Sequence, residues 1–217
     1  MIKTEQLTKI FRSGSKDVIA LNGIDITIES GEFVLIKGHS GSGKSTLLFS
    51  LGGMLNPSSG TVSIDDLSVY DMSERGRAEF RANHIGFVFQ SYHLLPYLTV
   101  LENILISQRF NKKSVTEERA VEIAQSLNIS HRLNHKPSEL SVGEKQRTAL
   151  ARVFITNPEV IFADEPTGNL DPANAKEVIE HLKRYNENGG TVIMVTHGDE
   201  ADEVAGRIIN MKNGRLN

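Results

Sequence analysis

The sequence predicts an α/β fold with a mostly parallel central sheet, a smaller antiparallel β subdomain and an α-helical subdomain. Two nearly continuous apolar runs, Val160–Ala163 and Thr191–Val195, are typical of parallel strands that helices cover on both faces. Ile24–Ile28 alternates instead, with its three isoleucines on one face, as a half-exposed antiparallel strand does. Residues 91–156 contain no clear strand pattern and are predicted to form helices.

The other elements follow in chain order. Short β-branched or apolar runs predict further strands at Ile2–Leu7, Phe33–Ile36, Thr61–Ile64, Ile85–Phe89 and Arg207–Met211. Helical patterns predict helices over Thr46–Leu51, Leu98–Phe110, Thr116–Leu127 and Val142–Thr156. We therefore expect one domain, in which residues 1–90 and 157–217 form the β-rich core and residues from about 91 to 156 form the helical subdomain.

The composition is that of an ordinary globular protein and excludes several classes of site. The chain has 217 residues, of which 39% are hydrophobic, and a chain of this length buries about 70% of its surface on folding. Cysteine is absent, which excludes thiol catalysis, cysteine-based zinc sites and a disulfide framework. The formal net charge of −3 argues against a nucleic-acid partner bound through bulk positive charge.

No segment is predicted to cross a membrane. The longest charge-free stretch, Ser45–Ile64, is interrupted by a proline, an asparagine and three glycines, so it reads as helix, turn and strand. Glu5 lies where a signal peptide needs an apolar core. We therefore expect a soluble protein that reaches a membrane only through partners.

The strongest chemical signal is a phosphate-binding loop between a predicted strand and a predicted helix. It matches the pattern GxxxxGK[ST], and its residues are Gly38, His39, Ser40, Gly41, Ser42, Gly43, Lys44, Ser45 and Thr46. Glycines let successive backbone N–H groups surround phosphate oxygens, and the helix N-terminus adds partial positive charge. We expect Lys44 to reach the β- and γ-phosphates of a nucleotide and the Ser45 hydroxyl to bind Mg²⁺.

Two acids, Asp164 and Glu165, follow the apolar run Val160–Ala163. Because ligands of α/β sheets bind at the carboxyl ends of the strands, this pair should lie beside the phosphate loop. We expect Asp164 to hold Mg²⁺ through water and Glu165 to polarise the attacking water. Paired acids after a strand also occur in solvated turns, and it is the phosphate loop that favours the catalytic interpretation.

Further segments resemble, in order, the motifs of the nucleotide-binding subunit of ABC transporters, and the resemblance covers essentially the whole chain. Leu140–Arg147, here called the signature segment, reads LSVGEKQR and resembles the family's LSGGQ signature. Gln90 resembles the Q-loop glutamine, Asp171 the D-loop aspartate and His197 the switch histidine. Phe11 lies where the family places an aromatic side chain that stacks on adenine.

The resemblance implies a P-loop NTPase cassette with a RecA-like core that binds ATP and Mg²⁺ and hydrolyses the nucleotide. It implies that Ser141 and Gly143 face the γ-phosphate held by a second copy of the chain, so that two ATP molecules lie between two chains arranged head to tail. Asp171 then communicates across this homodimer. Gln90 contacts Mg²⁺, and His197 binds the γ-phosphate and orients the catalytic carboxylate.

The signature segment departs from the family pattern at two positions. Val142 replaces the first glycine, and Glu144 replaces the glutamine. A β-branched residue is tolerated in a first helical turn, so we expect the fold to be unaffected by Val142. Glu144 brings negative charge to the first turn, which suits the helix dipole but is expected to repel ATP. A reduced rate of hydrolysis is therefore an open expectation.

The same resemblance implies an integral-membrane permease as partner and a place on the cytoplasmic face of the cell membrane. The sequences GNLD at Gly168–Asp171 and IGFVFQ at Ile85–Gln90 resemble the lipoprotein-release and macrolide-export branch, which implies export or extrusion of a lipoprotein or peptide. Coupling to a cell-division membrane protein without transport is the alternative. Ser91–Leu98 is expected either to form the floor of the permease-docking groove or to pack inside the helical subdomain.

Two other classes of protein fit poorly. A small GTPase needs an Asn-Lys-x-Asp guanine reader, and the nearest string, Asn111–Ser114, lacks the acid. Nucleic-acid ABC proteins carry either a long coiled coil or two cassettes in one chain, and neither fits 217 residues.

Overall fold

The structure of the protein is a computed structural model, and it describes residues 1–13, 16–109 and 116–217. Its strands are β1 (Ile2–Ser13), β2 (Lys16–Ile28), β3 (Phe33–Lys37), β4 (Ser59–Ile64), β5 (Leu67–Ser68), β6 (Ile85–Phe89), β7 (Val160–Asp164), β8 (Thr191–Thr196), β9 (Arg207–Lys212) and β10 (Arg215–Leu216). Its α-helices are α1 (Lys44–Leu51), α2 (Glu74–His84), α3 (Val100–Leu105), α4 (Glu117–Ser126), α5 (Val142–Phe154) and α6 (Pro172–Glu187). Short 3₁₀ turns span Ile106–Arg109, Ser130–Arg132 and Pro137–Glu139.

The central sheet has six strands in the order β10-β9-β3-β8-β7-β6. All pairs from β9 to β6 are parallel, and only the short β10 runs antiparallel to its neighbour. The predicted continuous strands β7 and β8 lie side by side in the middle of this sheet, and their apolar residues are almost completely buried. The predicted mostly parallel core is confirmed.

The second sheet is antiparallel and has the order β2-β1-β4-β5. Ile24, Ile26 and Ile28 of β2 point to its buried face, with at most 5% of each exposed, whereas the residues between them stay accessible. The alternation in the sequence therefore predicted both the sheet type and the buried face.

Two apolar cores lie on opposite faces of the central sheet. Phe33 and Leu35 of β3 face the core that α3, α4, α5 and α6 complete, and Val34 and Ile36 face the core shared with α1 and the antiparallel sheet. Because both faces are covered, β3 shows no alternation in hydrophobicity. This packing fixes the carboxyl ends of the parallel strands, where the loops that carry the motifs begin.

The described residues between 91 and 156 contain helices and turns but no strand. The helix predicted over Leu98–Phe110 is shorter: α3 begins at Val100, because Thr99 caps its N-terminus in a capping box with Glu102, and it ends at Leu105. Phe110 and the string 111–114 lie outside the described residues. Helix α2 was not predicted, because its sequence is strongly polar and only Arg77 is buried in it. The division of the chain into subdomains stays a prediction.

Within the described ranges, we find no helix that is both long enough and apolar enough to span a bilayer.

Candidate functional site

Three parallel strands bring the motifs together at one edge of the central sheet. Lys37, the last residue of β3, pairs with Thr196 of β8, and Asp164 at the end of β7 pairs with Val195. The phosphate loop, the two acids and His197 therefore begin at neighbouring strand ends. This edge is where α/β sheets bind ligands.

The loop between β3 and α1 needs glycine where its backbone runs closest to neighbouring strands. Gly43 has a φ of 106°, and a Cβ added there would lie 2.3 Å from the carbonyl oxygen of Ala20. A Cβ on Gly38 would lie 2.3 Å from the carbonyl oxygen of Met211. Neither backbone oxygen can move aside as a flexible side chain would. The GxxxxG spacing is therefore set by these two contacts as well as by phosphate chemistry.

The N-terminus of α1 opens into this loop and is built to receive an anion. Its N-cap is Gly43, which offers no side-chain acceptor, so the first N–H groups of the helix keep no partner of their own. The buried Ser42 hydroxyl also has no hydrogen-bond partner among the residues that the structure describes. Phosphate oxygens would satisfy these donors, and the helix dipole favours their charge.

Lys44 curls back over the loop. Its side chain is only 7% exposed, and its ammonium donates to the carbonyl oxygens of Gly38 at 2.7 Å and of His39 at 3.3 Å. Carbonyl oxygens are weaker acceptors than phosphate oxygens, so a bound phosphate can replace them. The ammonium thus lies at the place where negative charge has to be held.

Ser45 and Asp164 form an oxygen pair beside Lys44. The Ser45 hydroxyl donates to the Asp164 carboxylate at 2.7 Å. Burial raises the pKa of Asp164 and the charge of Glu165 adds to this effect, while the bonds to Ser45 and the charge of Lys44 oppose it. Ser45 and Gln90 line one cleft and Asp164 is bonded to Ser45, so these hydroxyl, carboxylate and amide oxygens suit Mg²⁺, which prefers hard oxygen ligands.

Glu165 occupies the centre of the site in a strained backbone conformation. Its φ is 48°, a left-handed value that costs a non-glycine residue about 1 kcal/mol or more. One carboxylate oxygen lies 2.6 Å from Nδ1 of His197, and the other lies 3.7 Å from the ammonium of Lys44. The side chain is 15% exposed, so the carboxylate is held on both sides but still faces the cleft.

A cleft of about 650 Å³ joins these groups. Ten of the predicted residues line it: His39, Ser40, Gly41, Gly43, Lys44, Ser45, Thr46, Gln90, Glu165 and His197. Gln90 is also placed by Asn169, whose amide donates to the Gln90 carbonyl oxygen at 3.3 Å. The predicted phosphate loop, water-activating acid and switch histidine therefore share one space.

The apolar end of the cleft contains residues that the sequence did not single out. Val18, Ile19 and Ala20 of β2 line it, and the side chains of Val18 and Ile19 are about half exposed. Phe11 pairs with Val18 across the β-ladder, but it does not line the cleft, and its ring lies 5.2 Å from the ammonium of Lys9. No local sequence pattern predicts this wall, because the exposure of Val18 and Ile19 depends on how the two sheets approach each other.

The signature segment lies elsewhere on the chain, at the N-terminus of α5. Ser141 caps the helix: its hydroxyl accepts from the N–H of Glu144 at 3.3 Å, and the Glu144 carboxylate accepts from the N–H of Ser141 at 2.8 Å. Val142 is 45% exposed, and Gly143 packs so closely on Asn174 that an added Cβ would meet its amide oxygen at 2.2 Å. None of these residues lines the cleft of the same chain.

Glu144 is bonded both to the N-cap of its own helix and to a residue from a preceding turn. Its carboxylate is 10% exposed and accepts a hydrogen bond from Nε of Arg132 at 2.7 Å. Burial by itself raises the pKa of Glu144, but the bonds from Arg132 and Ser141 outweigh it and lower the pKa to about 2. The expected repulsion of ATP is therefore opposed by a guanidinium that the sequence did not identify.

Asp171 caps helix α6, and its carboxylate accepts from the N–H groups of Ala173 and Asn174. The bonds to Asn174 hold the pKa of Asp171 below its usual value. The side-chain oxygen of the same Asn174 accepts a hydrogen bond from the guanidinium of Arg147 in α5 at 2.8 Å, so Asp171 and α5 share a neighbour. Like Ser141, Asp171 lies outside the cleft lining of its own chain.

The apolar run Ser91–Leu98 lies partly against the core and partly along a surface groove, and its role in docking a permease stays a prediction. Leu94 packs against the helical core. Leu95, Tyr97 and Leu98 line a groove of about 360 Å³ instead, and Tyr97 is 68% exposed.

Comparison with known proteins gives a consistent result. A family model described as ABC transporter matches residues 21–168. An uncharacterized ABC transporter ATP-binding protein of Methanocaldococcus jannaschii, MJ1508, is 43% identical, over 100% of this chain and 97% of that protein. The dimeric structure of an ATP-binding cassette, MJ0796, in a post-hydrolysis state bound to ADP and phosphate is 37% identical, with a TM-score of 0.94 and coverage of 100% of this chain and 96% of that one.

Two further relatives are longer proteins. The probable syringafactin export ATP-binding/permease protein SyfD of Pseudomonas syringae pv. syringae is 42% identical over 100% of this chain. The macrolide export ATP-binding/permease protein MacB of Bdellovibrio bacteriovorus is 41% identical over 99% of this chain. The chain spans 33% of the length of each of these two relatives.

Proposed function

The chain belongs to the ABC transporter family, and from that membership we propose that it binds and hydrolyses ATP as the nucleotide-binding subunit of a transporter complex. One observation carries this proposal: the Glu165 carboxylate lies between His197 and Lys44, next to the oxygen pair of Ser45 and Asp164. The arrangement combines a phosphate-binding lysine, oxygen ligands for a cation and a carboxylate that can orient water.

The loop binds the phosphates of ATP, with Lys44 and the first N–H groups of α1 as donors. Val18 and Ile19 form the apolar wall next to which the adenine lies. Phe11, one strand further away, stacks on adenine only if its ring leaves the ammonium of Lys9. The residues predicted to bind the phosphates therefore have more structural support than Phe11, the residue predicted to stack on the base.

Ser45, Asp164 and Gln90 hold Mg²⁺, which when bound neutralises part of the phosphate charge. Glu165 accepts a hydrogen bond from the attacking water and acts as the general base that takes its proton. Nδ1 of His197, 2.6 Å from one carboxylate oxygen, holds the Glu165 side chain in place. The preorganised donors Lys44 and the loop N–H groups stabilise the charge that develops on the transferred phosphoryl group.

The active form is a homodimer in which each cleft is completed by the signature segment of the other copy. Ser141 and Gly143 lie outside their own cleft, in the first turn of a helix whose N-cap Ser141 is exposed and whose Gly143 is buried, and this helix N-terminus suits an anion brought by a second chain. A relative of 37% identity has been solved as a dimer with ADP and phosphate. Asp171, through Asn174, then links the signature helix to the dimer interface.

The membrane partner is an integral permease, which keeps the chain at the cytoplasmic face of the membrane. The named relatives SyfD and MacB are export ATP-binding/permease proteins, so we infer export rather than import. The groove lined by Leu95, Tyr97 and Leu98 offers the permease an exposed apolar surface. No relative reported above supports the cell-division alternative.

Nucleotide affinity of Lys44→Ala tests the phosphate site. Removing the ammonium should weaken ATP binding at least tenfold, since a charge-assisted contact is worth about 1.5–3 kcal/mol. The matched control is Lys176→Ala, which removes an exposed lysine of α6. Fluorescent-ATP titration should leave this control within about twofold of the wild type. Equal affinity of Lys44→Ala and the control would contradict the proposed site.

A further inference from the structure

The ion pair between Arg132 and Glu144 lies at the N-terminus of α5, where Glu144 also bonds the N-cap residue Ser141. Arg132 comes from the 3₁₀ turn Ser130–Arg132, twelve residues before Glu144, and its Nε donates to one carboxylate oxygen at 2.7 Å. The other oxygen accepts from the N–H of Ser141 at 2.8 Å. The Glu144 side chain is 10% exposed and that of Arg132 is 34% exposed, so solvent screens this pair less than a surface pair.

A carboxylate at this place has two opposing effects on an incoming phosphate. By capping Ser141 it stabilises the helix and orients the first-turn N–H groups of Val142 and Gly143, which no helical bond uses. By its charge it cancels part of the positive potential that makes the helix N-terminus attractive to an anion. A positive group bonded to the other carboxylate oxygen keeps the first effect and offsets the second.

We propose that Arg132 is a positioning residue of the signature segment: it fixes Glu144 in the cap and neutralises it, so that the helix N-terminus still attracts the phosphates of ATP held by a second copy of the chain. This inference rests on the proposed function. His131 adds a weaker contact: its Nε2 lies 3.5 Å from the Glu144 oxygen that Arg132 also bonds, but the His131 side chain is 61% exposed. The low pKa of Glu144, about 2, agrees with a carboxylate that stays ionised and needs a counter-charge.

A purely structural role for Arg132 makes a different prediction. If the guanidinium only ties its turn to α5, its loss harms the protein whether residue 144 is charged or not. If it neutralises Glu144, its loss matters only while the carboxylate is present. Replacing Glu144 by glutamine removes the charge and keeps an amide oxygen that can accept from the N–H of Ser141.

The test is a double-mutant cycle on ATP hydrolysis with Arg132→Ala, Glu144→Gln and the combination of both. Arg132→Ala should lower kcat about tenfold, equivalent to about 1.4 kcal/mol, while fluorescent-ATP affinity of the monomer stays within about twofold. Glu144→Gln should stay within about threefold of the wild type, and the double variant should recover to the same level. Arg132→Lys, which keeps the charge, should retain more activity than Arg132→Ala.

Arg119→Ala is the matched control, because it breaks an ion pair with Glu122 in which both side chains are well exposed. It should leave kcat unchanged. The inference is overturned if Arg132→Ala hydrolyses ATP at the wild-type rate, or if the double variant is as slow as Arg132→Ala. If Arg132→Ala does not fold, Arg132→Lys takes its place in the cycle. The inference is then overturned if Arg132→Lys hydrolyses ATP slowly and adding Glu144→Gln does not restore the rate. A wild-type protein and Arg119→Ala that both lack ATPase activity would instead refute the proposed function.

Discussion

Asp164→Asn should make the nucleotide-free protein more stable and the protein less able to bind Mg²⁺ with ATP. Burial raises the pKa of Asp164, which means that the fold disfavours its charged form. Asparagine removes the charge and keeps an oxygen that accepts from the Ser45 hydroxyl, now 2.7 Å from the carboxylate. Keeping the Asp164 carboxylate ionised therefore lowers the stability of the nucleotide-free fold.

The direction of the stability change follows from linkage. A stabilising substitution at a single site typically adds about 0.5–2 kcal/mol, and because the carboxyl is only partly buried we expect the lower part of that range, about 0.5–1 kcal/mol. For a chain of this size that raises Tm by about 1–4 °C. Since the folded pKa is the higher one, wild type and variant should melt alike below the unfolded pKa of about 3.9. The difference should grow as the pH rises through the folded pKa.

Thermal melting from pH 3 to 7.5 measures the effect on stability, and melting at pH 7.5 with and without Mg²⁺ and ATP measures the effect on binding. The variant should melt above the wild type without ligand at pH 7.5. With Mg²⁺ and ATP the order should reverse, because losing a charged ligand costs about 1.5–3 kcal/mol of binding. A variant that melts below the wild type without ligand at neutral pH would refute the reasoning about Asp164.

Two further predictions concern the dimer and the loop. Ser141→Arg should bind ATP normally yet fail to hydrolyse it. Mixing this variant with Lys44→Ala should restore part of the activity, because one of the two composite sites in the mixed dimer keeps both Lys44 and Ser141. Full activity of Ser141→Arg alone would contradict the trans arrangement. Gly43→Ala should lower the free energy of unfolding by about 1–2 kcal/mol or more, because φ is 106° and the new Cβ would lie 2.3 Å from the carbonyl oxygen of Ala20. Denaturant titration measures this loss, and a variant as stable as the wild type would contradict the explanation.

The sequence predicted the parts of the fold that depend on local pattern. Continuous apolar runs predicted β7 and β8, and the alternating isoleucines of β2 predicted its buried face. The predicted helix beginning at Val142 is α5, and its capping residues Ser141 and Glu144 stand three residues apart in the sequence, which is the spacing of a capping box. Helix α2 escaped prediction, since its sequence is strongly polar: Arg77 is its buried residue, and Phe80 packs only partly against the apolar core.

The site was predictable where motifs follow strand ends. The phosphate loop, Glu165 and His197 meet because the strands before them are neighbours in one parallel sheet. Arg132 was not predictable, since its role depends on a turn that folds back onto α5. The apolar wall at Val18 and Ile19 also depends on the approach of the second sheet, which no local pattern encodes.

The left-handed backbone of Glu165 has the same origin. No turn residue in the sequence signals a φ of 48° at this position. The bond from the Glu165 N–H to the carbonyl oxygen of Val195, at 2.9 Å, holds the residue in this conformation. The strain directs the carboxylate towards His197, and it arises from tertiary structure alone.

The most direct test of the central claim is the mass of Glu165→Gln in the presence of ATP. The phosphate loop, Lys44 and the Ser45–Asp164 pair remain, so ATP should bind as before, while loss of the carboxylate should slow hydrolysis about 10²–10⁴-fold. The unhydrolysed nucleotide should then hold two copies together. Size exclusion with light scattering should show a dimer with ATP and a monomer with ADP. A variant that stays monomeric in ATP, or that continues to hydrolyse it, would contradict the assignment of Glu165.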